Sequence, residues 1–77
     1  GELKRAFNEL SERWCRKHRL GLADLAERCG VSLQYLSHIG RYGRIPSRPI
    51  LTLLAFNLEV PDPEKLFRMA GIKDAWP

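Results

Sequence analysis

Apolar residues recur at helical intervals along most of the chain, and no stretch sustains the alternation of a half-buried strand. Leu3, Phe7, Leu10 and Trp14 fall four, three and four positions apart, which predicts a first helix over about residues 2–19 with charged groups on its other faces. Leu20-Gly21-Leu22 breaks the pattern. A shorter second helix is expected over about 22–28, with Leu22, Leu25 and Ala26 turned inward and Cys29 at its end. Gly30 suits the left-handed position past a helix C-terminus, because it has no Cβ to clash there. Ser32 suits the N-cap of a third helix over about 32–40, with Leu36 and Ile39 inward. Gly40, Tyr42, Gly43 and Pro46 predict a loop. Ser47 is expected to cap a fourth helix that tolerates Pro49 in its first turn and carries Leu51, Leu54, Ala55 and Leu58 inward. Asp62-Pro63-Glu64 starts a fifth helix and Gly71 stops it. The pattern predicts an all-α fold of five short helices in one domain spanning residues 1–77.

The most informative stretch runs from Leu22 to Ile39. Two short helices meet at a turn, Cys29-Gly30-Val31-Ser32, with Leu25 and Ala26 before it and Val31, Leu36 and Ile39 after it to fix their angle. That is the pattern of a helix-turn-helix over about 22–40, whose second helix can project a polar face into a DNA major groove. Placing Leu36 at the centre of the buried side leaves Gln34, Ser37, His38 and Arg41 on the opposite arc. Each can read a base edge: Gln bonds adenine, Arg bonds guanine, and Ser and His donate or accept. Leu33 and Tyr35 flank that arc, either as DNA flank contacts against a thymine methyl or as cover for the core. Cover is favoured for Leu33, and Tyr35 is left open between the two. Arg44 and Arg48 follow, placed for phosphate contacts that set orientation without reading sequence.

Charge supports the same direction. Thirteen Lys and Arg against nine Asp and Glu give a formal charge of +4 over 77 residues. The excess lies in the first two thirds, and no carboxylate occurs between Glu27 and Glu59. An acid-free stretch carrying arginines attracts a polyanion, because no local negative charge opposes its approach. The plain alternative is a solvated surface with uneven charge.

The segment LGLADLAERCGVSLQYLSHIGRYGRIPSRPILTLLAFNLEVPDPEKLFRMAG resembles the Cro and lambda-repressor-like, or XRE-type, helix-turn-helix family. The residues that carry the likeness are Leu25-Ala26, Gly30-Val31-Ser32, Leu36, Ile39, Pro46-Ser47, the Leu51/Leu54/Ala55 stripe and Leu58-Glu59-Val60. The resemblance implies a compact five-helix lambda-repressor-like bundle, sequence-specific binding of double-stranded DNA, and transcription regulation, commonly as a repressor dimer on an inverted repeat. The expectation is therefore a DNA-binding transcriptional regulator with its third helix in the major groove. One alternative is a helix-turn-helix module used for protein–protein interaction. Gly21 and Leu22 motivate it, standing where the family usually places a capping Thr or Ser and then a polar residue. Another is an antitoxin-type regulator bound to a partner protein.

Other chemistry finds little footing. Cys15, His18, Cys29 and His38 lack finger spacing, so no metal is expected, and two cysteines are too few for a secreted disulfide scaffold. Ser37 and His38 are adjacent on a helix and point in different directions, which makes a nucleophile–base pair a poor prospect. No glycine-rich phosphate loop or paired-carboxylate cleft stands out, so neither a cofactor nor an enzyme is expected. No apolar run approaches the roughly 20 residues needed to span a bilayer. A cytoplasmic protein without membrane contact is the expectation. On the fourth helix, Leu53 and Phe56 fall opposite the inner stripe, and Phe67, Met69 and Trp76 add apolar surface near the C-terminus. Either the fifth helix and the tail fold back over Leu53 and Phe56, or these two form the dimer surface of a homodimer. Residues 72–77 carry no stop signal and read as a lead into a further C-terminal domain.

Overall fold

The computed structural model describes residues 1–72, and several of its helix boundaries follow signals legible in the sequence. The helices are α1 (Glu2–His18), α2 (Leu22–Cys29), α3 (Leu33–Tyr42), α4 (Arg48–Asn57) and α5 (Pro63–Met69). No strand occurs among the described residues, so the fold is all-α. The Ser32 hydroxyl accepts the Tyr35 amide at 3.1 Å and starts α3, and the Asp62 carboxylate accepts the Lys65 amide at 3.3 Å to start α5. At α2 the Asp24 carboxylate takes the Gly21 amide at 2.8 Å, half of a capping box, since glycine has no side chain to return the bond.

Four of the helices end alike. Arg19, Gly30, Glu59 and Gly71 each adopt a left-handed φ, between 55° and 76°. The apolar residue that follows each one, Leu20, Val31, Val60 or Ile72, donates its amide to a carbonyl five positions back, at 3.0–3.1 Å. This closure satisfies end carbonyls and turns an apolar side chain back onto the core. Two of the four left-handed positions are filled by Arg19 and Glu59, which accept a backbone cost of about 1–2 kcal/mol each that glycine would avoid.

Two apolar clusters share α1 and α4. The larger joins Phe7 and Trp14 of α1 to Leu25, Ala26 and Cys29 of α2, Leu36 and Ile39 of α3, and Leu54 and Leu58. The smaller joins Leu3 of α1 and Leu51 and Ala55 of α4 to Leu66, Phe67 and Ala70 around α5. The principal contacts run α1–α3, α3–α2, α2–α4, α4–α5 and α5–α1, so the helices close a ring around this core. Eight-residue α2 and seven-residue α5 are too short to persist alone in water, and burial of these side chains is what holds them.

Three expectations are corrected. The expected loop after residue 40 begins later: Gly40 and Tyr42 belong to α3, and Gly43, with φ 72°, ends it. Gly40 serves a close approach instead. A Cβ placed there would lie 2.5 Å from Asn8 Oδ1 of α1, and Asn8 Nδ2 donates to the Gly40 carbonyl at 2.9 Å. Phe67, expected as surface, is 1% exposed, because α5 lays it against Leu3, Leu51 and Ala55. Ser47 stands at the N-cap of α4, yet its hydroxyl makes no capping bond. Trp76 and the rest of the tail beyond Ile72 lie outside the described residues.

Candidate nucleic-acid interface

The inner side of α3 is fixed by Leu36 and Ile39, both fully buried, and by Gly40 against α1. Helical geometry then turns Gln34, His38 and Arg41 to the far side, with Ser37 at its edge. Gln34 and Arg41 are exposed, and Ser37 and His38 are half-buried. Leu33, for which core cover was favoured, is 47% exposed at the first turn. The extension of α3 brings in a residue that sequence reasoning assigned to a loop. Tyr42 is 68% exposed and meets the His38 ring edge-on, with centroids 5.3 Å apart. Its signal was Gly43, a better C-terminal glycine than Gly40, which puts Tyr42 one turn after His38 on the same face.

Tyr35 packs against the edge of the larger apolar cluster without being sealed in it. It is half-buried, its hydroxyl accepts the Ser47 amide at 3.1 Å, and the Arg44 guanidinium lies 4.4 Å from its ring centroid. Arg44 and Arg48 are both exposed, at the loop and at the first residue of α4. Lys4 of α1 lies beside Gly43, at the C-terminal end of α3.

The helix starts divide by charge. α1, α2 and α5 each carry an acid in the first turn, Glu2, Asp24 and Glu64, as the helix dipole favours. α3 and α4 carry none, and α4 opens with a cation, Arg48. Positive charge at the positive end of a helix is locally unfavourable. Both acid-free starts belong to the helices joined by the Arg44-bearing loop.

α4 has a different outer side. Leu51, Leu54 and Ala55 are buried, while Leu53 is 40% and Phe56 76% exposed. Phe56 is thus largely open and Leu53 partly so, and the tail beyond Ile72 that was expected as possible cover lies outside the described residues. From Pro49 to Leu58 the sequence has no charged residue.

Cys29 is buried and Cys15 half-buried. Burial pushes the Cys29 thiol up, partly offset by the Asn57 amide, which lies 3.8 Å from Sγ and also donates to the Leu53 carbonyl at 2.8 Å. Burial and the nearby Asp24 carboxylate likewise raise the Cys15 thiol. Both cysteines are free. Among the described residues no three His, Cys, Asp or Glu side chains gather where they could hold a metal ion, and no helix is long and apolar enough to cross a membrane.

Comparison with known proteins returns no relative: no family model, no curated protein and no solved structure matches the chain.

Proposed function

We propose that the chain is a sequence-specific, double-stranded-DNA-binding transcriptional regulator, in which α2 and α3 form a helix-turn-helix and α3 enters the major groove. Gln34, Ser37, His38 and Arg41 read base edges, Leu33 and Tyr42 flank them, and Arg44 and Arg48 grip phosphates. The observation that carries this reading is the coincidence of two features. The outward arc of α3 is polar, with Gln34 and Arg41 exposed, and the loop and α4 start that follow it carry Arg44 and Arg48, with no acid between Glu27 and Glu59. Ten residues of helix measure about 15 Å, enough to lay one end along a major groove about 12 Å wide.

Selection of bound duplexes from a random pool tests the reading. A defined consensus is the expected result, and an inverted repeat within it would add a homodimer. Affinity should also fall steeply with salt, and Arg44→Ala should flatten the log–log slope by about one unit. A pool without consensus, or binding indifferent to salt, would overturn it.

A second reading is favoured by Leu53 and Phe56, an exposed apolar pair on an uncharged helix. In that reading α4 docks another protein chain, either a second copy or a partner bound in the manner of an antitoxin. The two readings are compatible if α4 dimerises the domain and α3 reads each half-site.

A further inference from the structure

One side chain ties the base-reading helix to the loop that follows it. Tyr35 sits next to Gln34 on α3, its hydroxyl accepts the Ser47 amide at 3.1 Å, and Arg44 lies over its ring at 4.4 Å. The loop between Gly43 and Ser47 is otherwise anchored at its start, where the Gly43 amide reaches the Ile39 carbonyl at 3.1 Å and the Arg44 amide the His38 carbonyl at 3.2 Å. Pro46 is buried midway. Tyr35 therefore fixes the far end of the loop, the start of α4 and the direction of one arginine.

We propose that Tyr35 is a positioning residue for duplex recognition, holding Arg44 and the α4 start in the place where they meet the phosphate backbone while Gln34 reads bases. This rests on the DNA-binding reading above. The physical ground is preorganisation. A free arginine must give up its rotamers on binding a phosphate, and one already stacked on an aromatic face has given up much of that freedom beforehand. Stacking uses the face of the guanidinium and leaves its edge N–H groups for a phosphate. The hydroxyl adds a second constraint, because a displaced Ser47 would carry Arg48 with it.

The test separates ring from hydroxyl. Tyr35→Phe keeps the platform and loses the bond to Ser47, and Tyr35→Leu loses both. Amide exchange at Ser47 in the free protein should accelerate in both variants. Duplex affinity should fall about twofold in Tyr35→Phe, which loosens the α4 start and Arg48, and about two- to tenfold further in Tyr35→Leu, which also frees Arg44. The extra loss of Tyr35→Leu over Tyr35→Phe should vanish in an Arg44→Ala background, and the salt slope of Tyr35→Leu should stay near that of the wild type because Arg44 still reaches its phosphate. A general structural loss would lower the melting temperature and leave the two substitutions additive. That pattern, or Ser47 exchange unchanged in Tyr35→Phe, overturns the proposal. If the wild-type chain binds no duplex, the DNA reading fails and the phosphate role with it. Ser47 exchange then still decides whether Tyr35 holds the loop.

Discussion

α3 and α4 are both ten residues long, and both bury an aliphatic stripe in the shared core. Their outer faces are opposites. α3 shows Gln34, His38 and Arg41, and α4 shows Leu53 and Phe56 with no charge from Pro49 to Leu58. Two helices with the same demand on their inner side thus carry different instructions on their outer side. Inner stripes specify how the chain folds, and outer faces specify what it meets. An uncharged apolar face is costly to leave in water and invites a protein surface, whereas a polar arc flanked by arginines invites a polyanion.

The largest effect expected tests whether the two inner stripes are equivalent. Leu36→Ala and Leu54→Ala each remove a side chain that is at most 1% exposed, and each should cost about 2–5 kcal/mol in thermal or denaturant unfolding. In a domain of this size that is a large part of total stability. A cost below about 1 kcal/mol at Leu36 would mean that α3 is not seated on the core as described.

The outer faces should respond without unfolding. Gln34→Ala should lose about 1–3 kcal/mol of affinity for the preferred duplex and relax selectivity at one base pair. Its melting temperature should stay that of the wild type, because Gln34 is exposed. Equal losses on all duplexes would take Gln34 out of the reading set. Phe56→Glu should leave the melting temperature and single-site binding nearly unchanged and weaken self-association, seen by sedimentation, about tenfold or more. If sedimentation shows a monomer before and after the change, the α4 face does not join two copies.

The smallest effect concerns an exposed ion pair between α1 and the turn that follows α4. Lys17 Nζ lies 2.7 Å from Glu59 Oε2, and that hydrogen bond, followed by the charge of Lys17, holds the Glu59 carboxyl below its usual range. A carboxyl with a lowered folded pKa stabilises the fold at pH values above its unfolded pKa. That contribution disappears as the pH falls through the folded value. A slight drop in melting temperature is therefore expected on acidification through the carboxylate range, and Lys17→Ala should remove that component. The pair is exposed and salt should screen it. An unaltered acid limb in Lys17→Ala would assign the drop to other carboxylates.

Much of the candidate interface was legible because it follows from a short local rule. Once Leu36 and Ile39 face inward, the periodicity of the helix places Gln34, His38 and Arg41 outward. Tyr42 was missed because Gly40 looks like a helix stop, and only the approach of Asn8 explains a glycine inside α3. The place of Tyr35 could not be read either, since an amide twelve residues away occupies its hydroxyl. Phe67 looked like surface for the same kind of reason: Leu3, at the far end of the chain, covers it.

What the sequence determined alone was local: the caps at Ser32 and Asp62, the left-handed glycines Gly30 and Gly71, and the stripe that each helix turns inward. These depend on hydrogen bonds and periodicities within a few residues, so the information lies beside the element it governs. The tertiary structure decided what depends on distant segments meeting. It closed the ring through α5 and α1, admitted Gly40 into a helix, joined Tyr35 to the following loop and left Phe56 uncovered. Burial and close approach are properties of a pair of surfaces, and one segment of sequence specifies only one of the two.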